Sequence, residues 1–307
     1  MPKSIYTDLA MEARELSPEI SGITEESGED GGISISRISV TSNDAAEQLG
    51  KPVGRYITLD APDLVNRPLD LYERLSRRIA EELKLLLGDV PKEATVLVIG
   101  LGNRFITPDA LGPRVAEQVY VTRHITEYLP EITQSALRPV CAVSPGVLGV
   151  TGVETLEVVK GVVERIKPAA VIVIDALASR RAARISTTVQ MCDTGISPGA
   201  GVGNKRSGLD AESLGAPVIA IGVPTVVYAT TISQDTISLI ADETGLHNDE
   251  EKLLGLVEKV INEKMGPMIV TPKDIDSIVT DMSRVLADGI NLALHDMNYN
   301  EVRSLIA

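Results

Sequence analysis

The chain has 307 residues, 44% of them hydrophobic, enough for one large domain or two small ones around a packed core. No apolar run approaches the roughly 18–20 residues that a membrane span needs. Met1 to Arg14 has polar residues where a signal peptide has its apolar stretch, so a cytoplasmic location is expected. Against 29 basic residues stand 43 acidic ones, a formal charge of −14, which opposes attraction to phosphate backbones and argues against free nucleic acid as a partner. A basic protein is a natural partner for such a surface, although solubility alone also explains it.

Taken in chain order, residues 1–30 read as an arm. They end in Glu25-Glu26-Ser27-Gly28-Glu29-Asp30-Gly31-Gly32, whose charge and glycine content predict a loop or mobile linker. Ile33, Ile35, Ile38 and Val40 then alternate with Ser and Arg, and Arg55 to Leu59 alternates again, predicting two half-buried strands. Leu71, Leu75, Ile79, Leu83 and Leu86 follow at helical spacing.

From Ala94 the texture changes to apolar runs separated by helical segments, the pattern of an α/β fold whose mostly parallel sheet has helices on both faces. The runs are Val96 to Ile99, Val140 to Val143, Ala170 to Ile174, Thr187 to Met191 and Val218 to Ile221. Helices are predicted over Ala110 to Leu129, Val153 to Ile166, Val226 to Ala241, Glu250 to Lys264 and Pro272 to Leu294. Cys141 and Cys192 lie in strand-like stretches, so no disulfide is expected and both read as small core residues.

Ligands of open α/β sheets bind beyond the carboxyl ends of the strands, and two aspartates fall on that edge. Asp109 follows the first run, in Thr107-Pro108-Asp109-Ala110-Leu111-Gly112-Pro113, and Asp175 ends the third, in Val171-Ile172-Val173-Ile174-Asp175. Chain position alone favours a helix N-cap for Asp109. A carboxylate ending a buried strand is costly unless something pairs with it, so Asp175 is open to a functional and a structural reading alike.

Familiar nucleotide motifs fail on inspection. Gly100-Leu101-Gly102 begins a dinucleotide fingerprint, but Phe105 occupies the place of the third glycine. In Gly199-Ala200-Gly201-Val202-Gly203-Asn204-Lys205-Arg206, Asn204 separates Gly203 from Lys205 and no Ser or Thr follows the lysine, so it is no P-loop. Lys205 and Arg206 remain as cations able to contact substrate carboxylates, or as part of a plain surface turn. His124, His247 and His295 show no ligand spacing, and no metal ligands are assigned. Cys192-Asp193 has no histidine nearby in sequence, and no Gly-x-Ser-x-Gly nucleophile elbow occurs.

Val98-Ile99-Gly100-Leu101-Gly102-Asn103, Thr107 to Pro113, Ile174-Asp175-Ala176-Leu177-Ala178 and Pro198 to Arg206 together resemble the spore germination protease family. The likeness extends through Ser144-Pro145-Gly146-Val147, Ala220 to Val227 and Ile269-Val270-Thr271-Pro272-Lys273, and so covers nearly the whole chain. Between Thr244 and Met268 this sequence lacks a longer insert that some members carry.

The resemblance implies a fold like that of hydrogenase maturation endopeptidases with an added N-terminal region. It implies an endopeptidase of an atypical aspartic type, a homotetramer made as a zymogen, that degrades small acid-soluble spore proteins in the spore core. Its functional aspartates carry over to Asp109 and Asp175. No cofactor is implied, and a carboxylate-held metal ion stays compatible with these residues. No nucleic acid or membrane partner is implied. The family cuts after Glu or Asp and before a hydrophobic residue followed by Ala, a pattern present at Asp8-Leu9-Ala10. On that reading residues 1–8 are a propeptide, 9–32 a mobile arm or linker, and 33–307 one α/β catalytic domain. Without the resemblance the arm reads as a short amphipathic helix. Two alternatives stand beside this one: a hydrogenase-maturation type protease, which predicts a histidine at a sheet edge, and a non-catalytic binder of basic spore proteins.

Overall fold

The computed structural model describes residues 7–128, 137–197, 208–245, 250–261, 268–295, 298 and 300. The N-terminal part holds α1 (Ala10–Leu16), β1 (Ile23–Asp30), β2 (Ile33–Val40), α2 (Asn43–Leu49), β3 (Gly54–Asp60) and α3 (Leu69–Leu87). The middle holds β4 (Val96–Gly100), α4 (Leu111–Ala116), α5 (Arg123–Tyr128), β5 (Val140–Val143), α6 (Leu148–Thr151), α7 (Thr155–Ile166), β6 (Ala170–Ser179) and β7 (Thr188–Cys192). The rest comprises α8 (Ala211–Leu214), β8 (Val218–Tyr228), α9 (Ala229–Thr244), α10 (Glu250–Val260), β9 (Ile269–Val270) and α11 (Ile275–Leu294).

The unbroken apolar runs are explained by burial on both faces. Val96, Val98, Ile172 and Ile174 point into one core with α3, α4 and α11, while Leu97, Ile99, Val171 and Val173 point into a second with α7 and α8. Among the described residues the strands form one sheet in the order β1-β2-β3-β7-β8-β6-β4-β5, with β9 on the upper end of β8. The pairs β5·β4, β4·β6 and β6·β8 are parallel. The architecture is thus α/β, with a parallel central sheet between helices. β7 pairs antiparallel with β8 and with β3, joining that sheet to the N-terminal meander.

Several boundaries differ from the sequence expectation, each for a physical reason. Residues 9–32, expected to be an arm and linker, instead hold α1 and β1. Residues Thr24 to Asp30 of β1 are exposed, so an edge strand solvated on both faces can carry charges that otherwise signal a loop. Its turn is legible in retrospect: Gly31 and Gly32 take φ of 55° and 83°, the pair of positive values that a two-residue hairpin turn requires. The helix expected from 110 to 129 is broken after Ala116. The buried Asn291 side chain captures Tyr120 N–H at 2.8 Å, and Thr122 N–H donates to Val140 O at 2.9 Å. Val226 to Tyr228, expected to be helical, continue β8 because β6 and β9 supply partners for them.

α3 and α11 pack side by side across the first core. Ser76 Oγ donates to Val285 O at 3.1 Å, and a Cβ added at Gly289 would meet Ile79 Cγ2 at 2.7 Å. At the end of α11 the buried His295 ring stands edge-on to Tyr120, centroids 6.1 Å apart, with Nε2 3.3 Å from Tyr120 O. Its Nδ1 has no hydrogen-bond partner among the described residues, which fits a neutral ring donating through Nε2. Burial lowers the His295 pKa from 6.5, against the opposing pull of the Tyr120 carbonyl. The unfolded chain therefore takes up this proton before the folded one. The stability contributed by the neutral ring is present above about pH 6.5 and is lost as pH falls through the depressed folded value. Melting temperature should fall less between pH 7 and 5 in His295→Phe than in the parent; equal slopes would remove His295 from the acid response.

Candidate active site

β4 and β6 are adjacent, and their last paired residues are Gly100 and Ile174. The loop bearing Asp109 and the segment bearing Asp175 therefore leave the same edge of the parallel sheet. Past Gly100, Leu101 N–H donates to Ile174 O at 2.8 Å, keeping the loop against β6. The loop then tightens into a 3-10 turn at Thr107–Asp109. Asp109 Oδ2 accepts from Asn103 N–H at 2.7 Å. The first residue before α4 is Ala110, without a side-chain cap, so this carboxylate folds its own loop and does not serve as the N-cap of α4.

Asp175 is buried at 6% exposure, and Oδ1 accepts from Ala176 N–H at 2.9 Å. The strand continues four residues beyond it, to Ser179. Asp175 is paired with Gly222 of β8, which in turn is paired with Gln190 of β7. Directly opposed residues share a face, so Gln190 and Asp175 project from one side, two strand spacings or roughly 10 Å apart at the backbone.

The N-terminal segment is seated on that same side. Asp8 joins the free upper part of β6: its N–H donates to Ala178 O at 3.0 Å, and its Oδ2 accepts from Ala178 N–H at 2.8 Å. The Asp8 carbonyl oxygen accepts from Lys51 Nζ at 2.8 Å and from Gln190 Nε2 at 2.9 Å, while Gln190 Oε1 accepts from Ala10 N–H at 2.6 Å. Leu9 and Ala10 are wholly buried. Four residues past Asp8, the buried Glu12 accepts from Arg180 N–H at 2.7 Å and Arg181 N–H at 2.9 Å, with Arg184 Nε 3.5 Å away. Burial pulls the Lys51 ammonium down from the ordinary lysine value, and Asp8, Cys192 and Glu12 hold it up. Beside this segment lies a cavity of about 200 Å³ lined by Asp8, Lys51, Tyr56, Leu177, Gln190 and Cys192.

The structure thus brings Asp8, Leu9 and Ala10 onto the face from which Asp175 projects. Lys51, Gln190 and Glu12 were not singled out in the sequence, since long-range register alone assembles them. Lys205 and Arg206 lie outside the described residues, as does His247. Their described flanks, Ser197 and Asp210, line the cavity. His124 is exposed on α5 and His295 is buried at the end of α11. Burial pushes the Cys141 thiol up to about 11 and raises that of Cys192, which suits packed thiols rather than nucleophiles. Among the described residues no three His, Cys, Asp or Glu side chains cluster as ligands for a metal ion, and no helix is long and apolar enough to cross a membrane.

The chain matches the family model for germination proteases, Peptidase_A25, over residues 2–252 and 243–305. It is 49% identical over 306 residues to the germination protease of Caldanaerobacter subterraneus subsp. tengcongensis, covering 94% of each chain. Identity to the germination protease of Bacillus subtilis strain 168 is 41% over 345 residues, covering 95% of this chain and 94% of that one. Among solved structures it is similar to a [NiFe] hydrogenase maturation protease, HycI from Thermococcus kodakarensis KOD1. There the identity is 16%, with 68% of this chain and 98% of that one covered, and the TM-score of 0.36 is too low to bear on the site. A match this long, at identities this high, shows that the chain belongs to the germination protease family and is an endopeptidase.

Proposed function

We propose that the chain is made as a zymogen, cuts itself between Asp8 and Leu9, and then opens small acid-soluble spore proteins after Glu or Asp and before a hydrophobic residue and Ala. Asp109 and Asp175 carry the chemistry. The observation that supports this reading most is the seating of Asp8-Leu9-Ala10 along β6, on the face that bears Asp175. A segment with the family's cleavage pattern is thus held against the sheet, Asp8 bonded to the edge of β6 and Ala10, the first residue of α1, bonded to Gln190 of β7.

A peptide carbonyl resists water, so one ionised carboxylate acts as base to a water while the other, protonated, supplies the acid. Where the two carboxylates close on one water they would not readily ionise together, which would hold them in unlike protonation states. No metal enters this scheme. Lys205 and Arg206, carried between the cavity-lining flanks Ser197 and Asp210, would meet the acidic side chain of a substrate. Exposed Leu239, Ile240, Leu253, Leu256 and Val260 on α9 and α10 would be covered in a homotetramer, consistent with their apolar character. The acidic surface suits basic spore proteins as substrates and suits neither nucleic acid nor a membrane. The spore core is the matching location.

Asp109→Asn and Asp175→Asn should each keep the parent's melting temperature and sedimentation and cut a purified spore protein at least about 10²-fold more slowly, the lower range for losing acid-base catalysis. Excess chelator should leave the parent's rate within twofold. Near-parental turnover in either variant would take that aspartate out of the mechanism, and loss of activity to the chelator would make the metal-free scheme wrong.

A further inference from the structure

We infer that Lys51 and Gln190 are catalytic groups that polarise the carbonyl of the bond being cut. This rests on the proposed cleavage after Asp8. Two side chains from distant parts of the sequence converge on one carbonyl oxygen, that of Asp8, at 2.8 and 2.9 Å. Gln190 also accepts from Ala10 N–H at 2.6 Å, so its amide brackets the Asp8–Leu9 bond, one end on each side. Only one orientation of the amide serves both contacts, since Ala10 N–H needs the oxygen and the carbonyl needs the nitrogen. Such a bracket reads main chain alone and works for any substrate laid down in the same way.

The chemistry calls for donors at this atom. Water adds through its oxygen to the Asp8 carbonyl carbon while a carboxylate takes its proton. The carbonyl π pair moves onto the oxygen, where Lys51 and Gln190 receive the charge. On collapse the C–N bond breaks and its electron pair takes a proton from the carboxylic acid, freeing the Leu9 amine and the Asp8 carboxyl. An ammonium donor strengthens most as the oxygen goes from neutral to anionic, so it favours the transition state over the bound ground state. Lys51 is half-buried, with its ammonium donating to the carbonyl oxygens of Thr7 and Asp8 at 3.2 and 2.8 Å. Burial lowers its pKa while Asp8, Cys192 and Glu12 oppose that fall and favour the charged form.

The test measures two reactions in the full chain: the first-order rate of self-cleavage, and kcat and KM for a peptide containing Thr-Asp-Leu-Ala-Met-Glu. Lys51→Met should slow self-cleavage about 10²- to 10³-fold, as loss of one such donor does elsewhere. Its kcat on the peptide should fall as far, with KM within about threefold. Gln190→Glu keeps the acceptor for Ala10 N–H and replaces only the donor, so it should lose kcat similarly even if Lys51→Met were to fold poorly. Melting curves and sedimentation establish folding. Parental kcat in both variants, or losses confined to KM, would overturn the inference and leave Asp109 and Asp175 untouched. Parental turnover by Asp175→Asn would instead remove the two-carboxylate reading on which the inference rests.

Discussion

Chains carrying Leu9→Lys should keep residues 1–8 under conditions that convert the parent fully to a form beginning at Leu9. Leu9 is wholly buried, between Asp8 bound along β6 and Ala10 bound to Gln190. An unpaired ammonium forced into that place costs roughly 3–5 kcal/mol. At 1.4 kcal/mol per tenfold, that lowers the population of the seated segment by at least about 10²-fold. The two larger cores hold no residue of the segment, and no strand passes through residue 9, so Leu9→Lys should unseat the segment and α1 without unfolding the sheet. Melting of the remainder should therefore stay near parental. Asp175→Asn should also stay uncut, but with its segment still seated, so limited proteolysis of residues 7–16 separates a failure of recognition from a failure of chemistry. N-terminal sequencing decides the outcome: a product starting anywhere but Leu9, or conversion of Leu9→Lys at the parental rate, would show that the segment is not a self-substrate.

Gly112→Ala should cost about 3 kcal/mol of stability and lower turnover about 10²-fold. Alanine is the better helix former by roughly 1 kcal/mol, so helix propensity predicts the opposite sign. Packing decides against it. A Cβ at residue 112 would meet Leu101 O at 2.2 Å, Leu101 N at 2.5 Å and Ile174 O at 2.7 Å, all of them backbone, so no side chain can swing aside. α4 would have to back away from β4 and β6, a shift that overpacking makes expensive. Asp109 sits three residues earlier, and a displacement of roughly 1 Å in a positioned group is enough for a 10²-fold loss. Thermal melts and the spore-protein assay read the two effects together; a variant as stable as the parent would mean that α4 has slack the contacts do not suggest.

These two sites differ in how far the sequence announces them. The runs at Val96, Ala170 and Val218 mark the parallel sheet because burial on both faces leaves no room for polar residues, and Asp175 stands out as the charge that interrupts one of them. Asp109 is placed by following the chain past β4. The Glu25 to Gly32 stretch misled because edge strands and loops share a composition, and only the paired glycines before Ile33 distinguish them. Lys51 and Gln190 have no local signature at all. Lys51 follows a helix-ending glycine, and Gln190 interrupts a buried strand as a polar residue; what joins them is the pairing of β3 with β7 and β7 with β8. Register across antiparallel strands cannot be read from any window of the chain.

The packing of α3 on α11 has a consequence for the order in which the protein can be assembled. Ser76 and Ile79 reach partners at Val285 and Gly289, so one wall of the first core is completed only by the last long helix. Contacts separated by so much intervening chain are slow to form, because the loop must close before the packing rewards it. During synthesis that face of the sheet has only α3 and α4 to cover it until Ile275 to Leu294 is available. A nascent chain that stops short of α11 therefore lacks part of the core beneath β4 and β6, the strands that lead to Asp109 and Asp175.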